Sequence, residues 1–159
     1  MTEDLYHDII LDHYRSPRNR AAELDRADVH VHHNNPLCGD ELDLWLRVDS
    51  DGAARIAAVV YDGEGCSIAM ASASAMTEAV AGRELADAEE LAEDFRSMMH
   101  GEAVKREDDL LDGIAFQGVA KFPVRVKCAL LGWMALRDAI TTFQQGEASS
   151  RVSHEEPTL

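Results

Sequence analysis

Between residues 42 and 49 the chain alternates Leu42, Leu44, Leu46 and Val48 with Asp43, Trp45, Arg47 and Asp49. A period of two over eight residues fits only an extended strand with one apolar and one polar face. Asp51-Gly52 follows as a hairpin turn signal, and the run Arg55 to Tyr61, rich in Val, Ile and Ala, reads as the antiparallel return strand. A half-polar hairpin needs something to cover its apolar face, and helical patterns flank it on both sides. Residues 4 to 15 place Leu5, Ile9 and His13 on one helical stripe, closed by Pro17. After the hairpin, SIAMASASAMTEAVAG is rich in helix-favouring Ala and Met, with Gly82 as its stop. Asp87 is placed to cap a helix carrying Leu91, Phe95, Met98 and Met99, a short helix fits around Asp109 to Ile114, and Pro123 opens a final long helix reaching Phe143. With a short extended piece at Val29 to His32, the expectation is an α+β fold: a small three-stranded antiparallel sheet with helices packed on one face. Residues 1–145 form the expected domain, and the polar stretch 146–159 reads as a disordered acidic tail.

At 159 residues the chain suffices for one core, burying roughly 70% of the surface its unfolded form exposes. A formal charge of -15 argues against non-specific attraction to nucleic acid or anionic lipid. The N-terminus has acids where an export signal needs cations, and no run approaches the roughly 18 apolar residues of a membrane span, so the expected location is the cytoplasm. An odd count of three cysteines in a reducing compartment implies thiols or metal ligands and not disulfides.

The three cysteines occupy element ends: Cys38 in the turn NNPLCGDE, Cys66 at the strand-to-helix junction DGEGC, and Cys128 in the first turns of the last helix. Element ends are where residues distant in sequence can converge. Cys38 and Asp40, two apart across Gly39, can point the same way, and with Cys66 and Cys128 they would make three thiolates and one carboxylate, a tetrahedral set suited to zinc or to iron in a cluster. Spacing alone contains no C-x-x-C pair, and by itself it favours independent buried or incidental thiols over shared ligation. Four ionised ligands around a divalent cation leave about two excess negative charges, which Lys121, Arg125 and Lys127 are placed to offset. Cys66 would feel the positive end of the following helix, which favours its thiolate. His30, His32 and His33 form a further cluster, read as ordinary surface histidines with metal binding as the sharper alternative.

NNPLCGDELDL, DGEGCSIAMASASAMTEAV and AKFPVRVKCALLGW resemble, in that order, the three cysteine motifs of the U-type iron-sulfur assembly proteins, the family containing SufU, IscU and the N-terminal domain of NifU. The resemblance runs to about Phe143 and is closest to the SufU branch. Lys127 stands where the IscU branch has a histidine, residues 101 to 122 look like the SufU insertion, and KFPVRVK replaces the segment an IscU chaperone reads. The resemblance implies one zinc held by Cys38, Asp40, Cys66 and Cys128, with Arg125 orienting Asp40. It implies a sulfurtransferase in which Cys38 takes persulfide sulfur from a SufS-like cysteine desulfurase and passes it to a SufBCD-like assembly complex. The alternatives it leaves are a non-enzymatic scaffold that builds an iron-sulfur cluster on the same thiolates, and a structural zinc adaptor.

Overall fold

The computed structural model describes residues 2–154. The elements run α1 (Thr2–Arg15), β1 (Val29–Asn35), β2 (Asp40–Asp49), β3 (Arg55–Glu64), α2 (Ser67–Val80), α3 (Leu85–Met99), α4 (Glu107–Leu110), a 3-10 segment (Leu111–Lys121), α5 (Pro123–Gln144) and β4 (Ser149–Ser153). The fold is α+β, but the sheet is four-stranded and mixed, in the order β3-β2-β1-β4, and not the expected three-stranded antiparallel one. The added strand comes from Ser149–Ser153, inside the stretch expected to be a disordered tail, and it pairs parallel to β1 from His30↔Ser149 to Asn34↔Ser153. The rest of that expected tail beyond residue 154 lies outside the described residues.

Alternation sets the sheet's inner face. Val29, Val31, His33 and Asn35 point inward along β1, and Asp40, Leu42, Leu44 and Leu46 do so along β2. On β3 the inward residues Ile56 and Val59 are three apart, which a strict two-residue period forbids; a register shift at Arg47/Val48 absorbs the extra residue and keeps both on one face. Helices α2 and α5 cover this face. They approach closely because Gly132 of α5 lies over Ala73 of α2, where an added Cβ would stand 3.0 Å from the Ala73 Cα. Phe95 of α3 stacks on Trp133 of α5 with centroids 4.6 Å apart, and Phe116 meets Phe95 edge-on.

Two polar ties hold the periphery. The buried His13 places Nδ1 2.7 Å from Ser74 Oγ on α2 and Nε2 2.7 Å from Asp112 Oδ2 in the 3-10 segment, which fixes α1. Arg83 and Arg106 both donate to Asp87 and Asp109 and so clamp the connection after α3. Asp87 therefore sits inside the first turn of α3 as an ion-pair partner and not as its cap, which is Glu84. The expected short helix around Asp109 to Ile114 is α4 running into the 3-10 segment.

Candidate metal centre

The inward register of β2 ends on a carboxylate. Asp40 is 1% exposed, in line with leucines, and a buried carboxylate there is costly unless its lone pairs are met. The DGEG turn meets one of them: the Cys66 backbone N–H donates to Asp40 Oδ1 at 3.0 Å. Gly63 and Gly65 make that approach possible. A Cβ on Gly63 would overlap the Glu41 carbonyl oxygen, and one on Gly65 would lie 2.7 Å from Asp40 Oδ1. Across the neck of the preceding loop, Asn35 is the register partner of Asp40, and its carbonyl accepts the N–H groups of Cys38 at 3.1 Å and Gly39 at 2.9 Å. Gly39, at φ +72, closes this tight turn. Leu37 is thrown outward, 64% exposed, while Cys38 folds back against the core.

Cys128, buried on the second turn of α5, completes the convergence: one ligand atom each from Cys38, Asp40 and Cys128 lie within 4.8 Å of one another. Cys66 stands against this set, with Sγ 3.9 Å from Asp40 Oδ2, and its sulfur also accepts the Ala69 N–H at 3.4 Å as the N-cap of α2. Hydrogen bonding with Cys128 lowers the Cys66 thiol to about 6, against burial, with the Ala69 N–H assisting. Cys128 moves up, first through that same contact with Cys66, then through burial and the nearby Asp40 carboxylate. Cys66 thus ionises more readily than Cys128, because the two thiols share one contact and a second thiolate there would stand beside both Cys66 and Asp40. A divalent cation would compensate that charge. Three sulfurs and one carboxylate converging from three element ends fit zinc by number, softness and charge.

Not every expected residue joins. Arg125 is exposed, and among the described residues it forms no ion pair with Asp40; Lys121 instead reaches Glu3 at 3.3 Å. Arg125, Lys121, Phe122 and Tyr6 line an apolar groove of about 580 Å³ between α1, the 3-10 segment and the start of α5. His30 and His32 share Asp43 Oδ1, at 2.8 and 3.0 Å, on the sheet's outer face, and His30 stacks on Trp45. His33 points inward, between Asp138 of α5 at 2.8 Å and His154 at 2.8 Å. His30 and His32 thus share one carboxylate, His33 is buried and not the surface histidine expected, and among the described residues no histidine joins the close set of Cys38, Asp40 and Cys128. A second close set, His13, Glu78 and Asp112, has both imidazole nitrogens already engaged and Arg18 at 3.7 Å from Glu78, so it reads as a tie between helices. Asn35, Gly63 and Gly65 were not singled out in the sequence as site residues. The first was legible as the inward continuation of Val29, Val31 and His33, the others as close-approach glycines beside a turn cysteine.

Comparison with known proteins identifies the family. Residues 5–129 match the family model of the NifU-like N terminal domain. The zinc-dependent sulfurtransferase SufU of Bacillus subtilis is 41% identical over 144 residues, covering 91% of this chain and 95% of that protein. The iron-sulfur cluster assembly scaffold protein IscU of Streptococcus pyogenes is 38% identical over 136 residues, covering 86% and 82%. Among solved structures, a candidate iron-sulfur cluster assembly scaffold for the SUF system from Fervidobacterium islandicum superposes with a TM-score of 0.76 at 32% identity, over 84% of this chain and 94% of that one.

Proposed function

The chain belongs to the family of NifU-like N-terminal domains, the iron-sulfur cluster assembly proteins of the SufU and IscU kind, and on that premise we propose that it is a zinc-dependent sulfurtransferase whose acceptor is Cys38. The observation that carries this reading is the position of Cys38: its sulfur lies in a donor set with Asp40 and Cys128, yet it rides a four-residue loop whose neighbour Leu37 is exposed. Asp40, Cys66 and Cys128 rest on stiffer elements. One donor can thus leave while the others stay.

Zinc held by Cys38, Asp40, Cys66 and Cys128 would keep the sulfurs ionised and guard them from oxidation. The chain's own residues do the rest. The Asp40 carboxylate, fixed by the Cys66 N–H, ties the start of β2 to the start of α2. In the transfer, the Cys38 thiolate attacks the outer sulfur of a persulfide carried by a cysteine desulfurase. A new S–S bond forms on Cys38, the donor's S–S bond breaks, and the donor cysteine leaves as a thiolate, with no net oxidation. Exposed Leu37, Phe122 and Val124 around the site offer the apolar contacts on which such a partner would sit. The sulfur would then pass to a downstream SufBCD-like assembly complex, in the cytoplasm.

Similarity to IscU favours a second reading, a scaffold that assembles a [2Fe-2S] cluster on the same donors. Substitution decides for or against the acceptor role. Cys38→Ala should fold normally by circular dichroism yet abolish stimulation of a cognate cysteine desulfurase; a Cys38→Ala protein that stimulates as fully as the parent removes Cys38 from the mechanism.

A further inference from the structure

Asn35 is 1% exposed, and its Oδ1 has no hydrogen-bond partner among the described residues. A buried asparagine that leaves its carbonyl oxygen unmet is unfavourable as a mere filler, since an apolar side chain of similar size would avoid that loss. Its other end is engaged: Nδ2 donates to Cys38 Sγ at 3.6 Å. That distance is ordinary for an N–H···S bond, and the donor is the only side-chain hydrogen bond to this sulfur found among the described residues. Cys66, by contrast, receives the Ala69 backbone N–H, and Cys128 lies within the α5 turn at 3.8 Å from the Val124 carbonyl.

Backbone and side chain of Asn35 act on the same loop. The main-chain carbonyl takes the two N–H groups that close the turn, and the register pairs the residue with Asp40. Asn35 therefore touches the loop that carries Cys38 both at its base and at the sulfur itself. We propose that Asn35 is a positioning residue for sulfur transfer: its amide N–H holds the Cys38 thiolate in the donor set and restrains its reactivity. A hydrogen bond into a thiolate lone pair withdraws charge from the nucleophile, so the sulfur is quietest when seated against Asn35 and most reactive when the loop swings out. The inference rests on the reading of Cys38 as sulfur acceptor and adds what keeps that acceptor in place beforehand.

The test compares zinc-loaded wild-type protein with zinc-loaded Asn35→Ala, each treated with iodoacetamide and followed by peptide mass spectrometry at every cysteine. Loss of one hydrogen bond to a charged sulfur should speed alkylation of Cys38 about fivefold or more, with Cys66, Cys128 and the zinc content unchanged. Equal Cys38 rates in the two proteins overturn the proposal, and so does a parallel rise at all three cysteines, which signals a loosened fold. If Asn35→Ala does not fold, the wild-type protein decides. With the spin-half isotope of cadmium in place of zinc, the Asn35 side-chain amide proton should couple to the metal nucleus through the Cys38 sulfur; an amide proton without that coupling refutes the bond. Persulfide loading of wild-type Cys38, run in parallel, tests the acceptor reading itself: no loading together with an intact alkylation contrast would reject that reading and leave the hydrogen bond standing.

Discussion

At the scale of single residues, the site depends on what is small as much as on what ligates. Gly65 has no Cβ to meet Asp40 Oδ1 at 2.7 Å, and the Cys66 N–H bond to that oxygen exists only because the chain passes so close. Gly65→Ala should push the carboxylate out of the donor set while leaving the apolar core intact. Competition with a chromophoric chelator should then show zinc held about tenfold or more weaker, as when an orienting partner of a ligand is lost; unchanged affinity would mean that Asp40 is not a ligand. The cysteines and Asp40 were legible in the sequence because turn and cap positions announce themselves through Pro, Gly and the start of an Ala-rich run. Charge and the family resemblance both point to Arg125 as the partner of Asp40, but a residue in the exposed first turn of α5 points where the helix phase sends it, toward the groove beside Tyr6 and Phe122.

Among the elements, the β2–β3 hairpin was plain because its period of two and its Asp51-Gly52 turn agree. Strand β4 was not: Ser149–Ser153 is short, polar and at an edge, and nothing in such a sequence separates a strand from a tail until β1 is there to pair with it. Its docking is sealed by the contact of His33 with His154, residues 121 apart. Burial holds both imidazoles below their ordinary range; for His33 the hydrogen bond and charge of Asp138 work the other way, and His32 adds to the lowering. The sign follows directly. In the folded chain both are neutral, whereas the unfolded chain takes up protons below about pH 6.5, so this contribution is full above that value and is lost as pH falls through it. Amide hydrogen exchange at Val152 and His154 should therefore show protection near neutral pH that falls away as the pH drops below about 6.5, ahead of the β2 amides. Protection of β4 that does not change across that range would contradict the histidine contact as its lock.

Over the whole molecule, the sheet and the α2–α5 pair act as a frame that brings three distant cysteines to one edge. The α+β class and the covering of one face followed from periodicity, and the convergence followed from placing cysteines at element ends. What the sequence did not carry was the closeness: a donor set within 4.8 Å depends on Gly132 letting α5 settle onto α2 and on Gly63 letting the turn lie against β2. Among the described residues no helix is long and apolar enough to cross a membrane, and the chain's charge of -15 leaves recognition to apolar rims and not to a basic field. On the proposed reading, Cys38, Cys66, Cys128 and Asp40 share one zinc ion. X-ray absorption at the zinc edge, on protein purified without added metal, tests it most directly. The expected spectrum has three sulfur neighbours at about 2.3 Å and one oxygen at about 2.0 Å, whereas protein free of zinc, or zinc with a sulfur-poor shell, would mean that these four residues do not form a zinc site.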